Sequence, residues 1–173
     1  ARLKIDFGIP VFSWIHLKNF EGRLSLQKGE TTYKAATPYS TTTIRTWLAH
    51  DRNVWILECE NLPNEELTGA KQKATVSLER LGSRSFSGWY AGRFPKDPKI
   101  GIGKTQSLLN GNDMIIEENG DGLHFAVACR IIKEPASPVI INSHRMEQKT
   151  VKNKFTVLIS VVTDRENKAP VEA

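Results

Sequence analysis

Residues Asp113–Ile132 read DMIIEENGDGLHFAVACRII. Two apolar runs flank Glu-Glu-Asn-Gly-Asp-Gly, a stretch rich in residues that tolerate positive φ, and that pattern predicts a β-hairpin. In the second arm Leu123, Phe125, Val127, Cys129 and Ile131 recur with period two, so they share one face of a strand. The same alternation recurs in KATVSLERL (73–81), with Val76 and Leu78 set against Thr75 and Ser77. It returns in KFTVLISVVTD (154–164), with Phe155, Val157, Ile159 and Val161 on one side. The opposite face of that last segment is half apolar, which predicts a central strand covered on both sides.

Strand-like runs also occupy LKIDF (3–7), VFSWIHL (11–17), GRLSLQKG (22–29) and NVWILEC (53–59). Helix signals are few. STTTIRTWLAHD (40–51) fits a two-turn helix as well as it fits a strand. Pro63, two early glutamates and the late Gly69 predict a short helix over 61–72. A single turn fits 104–112. The expected fold is mainly β: a single-domain antiparallel β-sandwich, jelly roll or barrel with nine or ten strands and one to three short helices. The domain spans 1–164, and 165–173 is a polar tail expected to fray.

The 173 residues are 39% hydrophobic and 25% charged, ordinary values for a globular protein, and they carry a formal net charge of +5. Cys59 and Cys129 sit in apolar runs without a CxxC. Two buried, reduced thiols are expected, and a single disulfide would require neighbouring strands. No Asn-x-Ser/Thr acceptor occurs. No apolar run reaches the ~18 residues of a membrane span. These features give the expectation of a soluble intracellular protein, cytoplasmic or nuclear, or a virion component if the protein is viral.

The chemistry that the sequence lacks narrows the function classes. His16, His50, His124 and His144 show no pairwise spacing suited to a metal, so no metal ligands and no cofactor are assigned. GIGKT (101–105) resembles the end of a phosphate loop, but Pro98 stands where that motif needs its first glycine. There is no Gly-x-Ser-x-Gly elbow, and ENGDG lacks the spacing of a calcium loop. Acids are present, but nothing in the linear order pairs two of them as a glycosidase requires. No catalytic residue is assigned, and the protein is not expected to be an enzyme.

Charge is unevenly distributed. Arg80–Lys104 holds six Lys or Arg against Asp97, a surplus equal to that of the whole chain, with Phe86, Trp89, Tyr90 and Phe94 between them. Cations neutralise phosphates and aromatic faces stack on bases. Arg80, Arg84, Arg93, Lys96, Lys99 and Lys104 are therefore candidate phosphate contacts, with Trp89 or Tyr90 as the stacking group. Arg145, Lys149, Lys152 and Lys154 form a second basic cluster. Acid gathers at 58–66 and at Asp113, Glu117, Glu118 and Asp121. Segregated charge of both signs suits contacts between copies, hence an expected homo-oligomer.

The leading expectation is a non-enzymatic binding or assembly protein for a polyanion, foremost nucleic acid (RNA or DNA), with a viral capsid, matrix or movement-type role by analogy of architecture. Peripheral contact with an anionic membrane belongs to the same reading. Two rivals stand beside it. One is a β-barrel or jelly-roll enzyme or small-ligand binder with a site made across strands. The other is a protein–protein interaction module that binds no nucleic acid.

Overall fold

The computed structural model describes residues 1–68, 73–80, 104–120 and 123–165. Twelve strands and one helical turn are found there: β1 Arg2–Asp6, β2 Asn19–Ser25, β3 Glu30–Ala36, β4 Ser40–Leu48, β5 Val54–Pro63, α1 Glu65–Thr68, β6 Thr75–Glu79, β7 Lys104–Asn110, β8 Asp113–Gly120, β9 Leu123–Ile132, β10 Val139–Asn142, β11 Arg145–Lys149 and β12 Lys154–Thr163. All pairings are antiparallel. A four-stranded sheet, ordered β1-β6-β11-β10, faces an eight-stranded sheet, ordered β2-β3-β4-β5-β12-β9-β8-β7. The architecture is a two-sheet β-sandwich, as the alternation predicts.

The core lies between the sheets and follows the period-two pattern. Val76, Leu78 and Met146 point in from the small sheet. Leu57, Cys59, Met114, Ile116, Val127, Cys129, Ile131, Phe155 and Val157 point in from the large one, all buried. The 113–132 hairpin forms as expected, with Met114 opposite Cys129 and Ile116 opposite Val127. β12 is central, bonded to β5 on one side and β9 on the other. Its inner face is buried through Ile159, whereas Val161 runs beyond the small sheet and is exposed.

Two local expectations, for 11–17 and 104–112, need correction, and the open choice at 40–51 is resolved. Residues 11–17 form no strand. Val11 is buried, and the chain then turns, with the Leu17 amide donating to the Ser13 carbonyl at 3.0 Å. Gly8 at φ 69° and Pro10 keep the segment from extending into a ladder. Its apolar residues roof a sheet instead. Residues 40–48 are the strand β4 and not a helix. Their run of β-branched threonines suits a pleated ladder, and β4 pairs on both sides. Residues 104–110 are strand β7, turned into β8 by Gly111 at φ 59°.

Cys59 and Cys129 are free and buried. They lie on β5 and β9, either side of β12, opposite Phe155 and Ile159 respectively. That leaves them about 9–10 Å apart across two ladder spacings, with a further offset along the strands, outside disulfide reach. Burial pushes both thiols up to about 12, so neither is a thiolate near neutral pH. A thiol reagent at pH 8 is expected to label neither cysteine until denaturant is added. Rapid stoichiometric labelling of the native protein would contradict this packing.

Candidate functional site

The two sheets differ twofold in width, and the consequence falls on the inner face of β2–β5. β1 is an edge strand of the small sheet. Beyond that edge the large sheet continues with no facing sheet among the described residues. Residues 7–18 cross this overhang, and Phe7 and Val11 bury themselves against it. What they leave open is aromatic and aliphatic. Phe12, Phe20, Leu24, Tyr33, Leu48 and Trp55 are all exposed, Trp55 at 40% and Leu48 at 69%.

Strand register arranges these side chains in rows. Gly22, Tyr33 and Ile44 lie abreast, then Leu24, Thr31 and Thr46, then Leu48 beside Trp55. Two residues separate successive rows, so Tyr33 and Trp55 stand about 13 Å apart along the strands. Phe20 stacks on Tyr33 with ring centroids 6.5 Å apart, and Phe12 meets Phe20 edge to face at 6.4 Å. The Trp55 indole N–H donates to the Thr46 hydroxyl, which fixes that ring. The Phe20 and Tyr33 rings close over Gly22, where a Cβ would touch both at 3.7 Å.

The strip leads into a groove of about 320 Å³ lined by Lys4, Ile5, Asp6, Phe7, Ile9, Val11, Phe12 and Ile44. Its polar groups are Asp6 and Lys4. The Gly8 amide donates to Asp6 Oδ1 at 2.9 Å, and Lys4 Nζ lies 3.2 Å from Oδ2. The Gly8 N–H, and after it Lys4, hold the Asp6 carboxyl below the usual carboxylate range. The groove is therefore apolar along its length, with one ionised acceptor and one ammonium at its rim. Sequence reasoning assigned none of these residues. Leu24 and Tyr33 alternate with polar neighbours as core residues do, and only the missing facing sheet distinguishes them.

A second cleft, about 580 Å³, lies at the β7 edge of the large sheet and is lined by polar residues: Lys104, Thr105, Gln106, Ser107, Glu117, Asn119 and Ser143. Glu117 Oε1 lies 2.5 Å from His124 Nε2.

Of the residues expected to bind a polyanion, the described ones lie on different strands and faces. Arg84, Trp89, Tyr90, Arg93, Lys96 and Lys99 lie outside the described residues. Arg80 follows β6 and makes a two-pronged ion pair with the buried Glu118, Nη2 donating to Oε1 at 3.0 Å. Lys104 opens β7 and lines the polar cleft. Arg145 and Lys149 stand on the outer face of the small sheet, where Arg145 pairs with Glu79 at 3.4 Å and with Glu147. Lys152 is exposed in the crossover before β12. Lys154 lies on the outer face of the large sheet, the other side of the sandwich, 3.6 Å from Glu60. The two acidic groups are drawn into the same kind of pairing, Glu58 with Arg45 and Asp113 with Arg130. Among the described residues no group of three His, Cys, Asp or Glu could hold a metal, and no helix is long and apolar enough to cross a membrane.

Comparison with known proteins gives a fold relation. No family model matches the sequence, and no curated protein matches it. Among the solved structures that match is a protein described as a "Putative kojibiose phosphorylase from human microbiome", at a TM-score of 0.55 and 12% identity, covering 99% of this chain and 23% of that one. The likeness is one of fold. This chain spans less than a quarter of that protein's length.

The ion pairs differ in what they contribute. Glu118 is buried and takes two hydrogen bonds from Arg80, so Glu118→Ala breaks a largely covered pair and is expected to cost about 3 kcal/mol. Lys154→Ala removes an exposed pair and should shift stability by no more than about 0.5 kcal/mol. Urea denaturation of both variants measures the contrast. Equal effects would contradict the placement of Arg80 against β8.

Proposed function

We propose that this chain is a non-catalytic, small-ligand-binding β-sandwich module of a carbohydrate-processing protein, and that it takes a saccharide on the inner face of β2–β5. The observation that carries this is the exposed aromatic strip running into a groove with one ionised acceptor. A sugar ring presents an apolar C–H face and a rim of hydroxyls. The C–H face packs on flat aromatic rings, whose negative faces favour it. The hydroxyls seek a carboxylate and neighbouring hydroxyl groups, here Asp6, Thr31, Thr46 and the Tyr33 phenol. Apolar walls with a few convergent polar groups are the usual composition of small-molecule sites. The fold shared with a kojibiose phosphorylase supports a carbohydrate partner. Arg80, Arg145 and Lys154 are each paired with a glutamate. Nothing among the described residues favours the polyanion reading over this one.

Titration calorimetry with kojibiose, and with a longer α-glucan oligosaccharide, is the test. Binding in the millimolar to micromolar range is expected. Trp55→Ala and Tyr33→Ala should each weaken it about tenfold or more, while melting within a few degrees of the parent because both rings are already exposed. The Asp6 carboxyl is held below the usual range, so its acceptor stays ionised through that range and is lost only as pH falls beneath it. Binding should hold at the ordinary Asp value of about 3.9 and fall away only below it. A single-stranded oligonucleotide serves as the other arm. Salt-sensitive binding of the oligonucleotide with no saccharide binding would overturn the proposal in favour of a polyanion partner.

A further inference from the structure

The exposed rings on the inner face of β2–β5 fall into two groups. Phe12, Phe20 and Tyr33 make the first, a platform whose successive ring centroids are 6.4 and 6.5 Å apart. Trp55 makes the second, beside Leu48, its opposite on β4. Tyr33 on β3 is level with Ile44 of β4, and Trp55 on β5 is level with Leu48. Four residues along β4 span about 13 Å and two ladder spacings about 9–10 Å, so the Tyr33 and Trp55 Cα positions stand about 16 Å apart on a diagonal. The Trp55 indole reaches along β4 to Thr46, its hydrogen-bond partner, while Tyr33 stacks the other way, on Phe20 of β2.

The row between the two groups holds no aromatic residue. It carries Leu24, Thr31, Thr46 and Leu57 in register. Thr31 and Thr46 lie directly opposite each other and are half-buried, so two hydroxyls floor the gap. The Thr46 hydroxyl accepts from the Trp55 indole and keeps its own O–H to donate. Two flat platforms with hydroxyls between them match a chain of linked sugar rings. The apolar ring faces rest on the platforms, and the hydroxyls of the connecting rings meet the threonines.

We propose, resting on the saccharide reading of this face, that the strip holds two subsites and that its ligand is a linear oligosaccharide long enough to occupy both. Rings in contact have centroids about 4.5–7 Å apart. With a similar step between linked sugars, about three to five rings are needed to set one ring on Tyr33 and another on Trp55. A disaccharide reaches one subsite only, so two disaccharides bind independently, one at each. A chain that bridges the gap makes its second contact within a single complex and binds more tightly for that reason. Tyr33 and Trp55 thereby select for chain length, and Thr31 and Thr46 receive the rings between them.

The test titrates the isotope-labelled chain with kojibiose and with linear α-glucans of three to seven rings. Kojibiose is expected to give two independent sets of shifts, one at Phe20 and Tyr33 and one at Thr46 and Trp55. Glucans of five or more rings should move all four residues along one curve, with an affinity about tenfold or more above that of kojibiose. Trp55→Ala should abolish the second set with kojibiose, leave the first, and erase the advantage of the longer chain. Should that variant fail to fold, Tyr33→Ala makes the same test from the other end. Equal affinity from two rings to seven would overturn the two-subsite proposal while leaving the saccharide reading in place. Loss of the shifts at Phe20 and Tyr33 in Trp55→Ala would do the same. No shift with any saccharide would overturn both.

Discussion

The fold depends on the pairing of β12 with both β5 and β9. The last described strand enters between two blocks, β2–β5 and β7–β9, that would otherwise be separate sheets. Seven cross-strand pairs join it to β5 and eight to β9. This insertion makes one sheet of eight strands, and the described residues supply four to face it. Phe155, Val157 and Ile159 then anchor the core at the middle of the wide sheet, under the narrow one. Among the described residues, the part of the wide sheet beyond the β1 edge is roofed by loop, and residues 7–18 roof only part of it.

The same antiparallel geometry governs the charge. Residues clustered in sequence alternate between faces and between sheets, so a run of like charge is dispersed on folding. Each strand then meets the opposite charge from its neighbour. Arg45 shows this most clearly. It reaches across to Glu30 on β3 and to Glu58 on β5, and its guanidinium lies 5.5 Å from the Trp47 ring centroid. That neighbourhood holds Glu30 below the usual carboxylate range, chiefly through the Arg45 hydrogen bond. Among the described residues, acid and base that lie apart along the chain meet as cross-strand pairs, Arg45 with Glu58, Arg130 with Asp113 and Lys154 with Glu60.

The elements legible in the sequence are those where alternation and turn chemistry agree. The β8–β9 hairpin has both, and β12 has alternation strong enough to mark it as central. β4 was ambiguous because Ile44, Trp47 and Leu48 also fit helical spacing. Tertiary pairing on both sides decides in favour of the strand, where Trp47 and Leu48 face opposite ways. Residues 11–17 read as a strand for a related reason. Apolar residues that roof a sheet from a loop carry the composition of a strand, and Pro10 was the better guide. β10 and β11 are too short to show a period. The candidate site was not legible at all. Period two says that Tyr33 and Leu24 share a face, but whether a face is covered depends on the widths of both sheets, and no local window contains that information.

Chemical-shift mapping of the isotope-labelled chain, titrated with kojibiose, tests the central claim most directly. The account predicts perturbations concentrated at Phe12, Phe20, Tyr33, Thr46 and Trp55, with the β7–β8 cleft around Gln106 and Asn119 unmoved. Perturbations confined to that cleft, or none anywhere at saturating sugar, would contradict it.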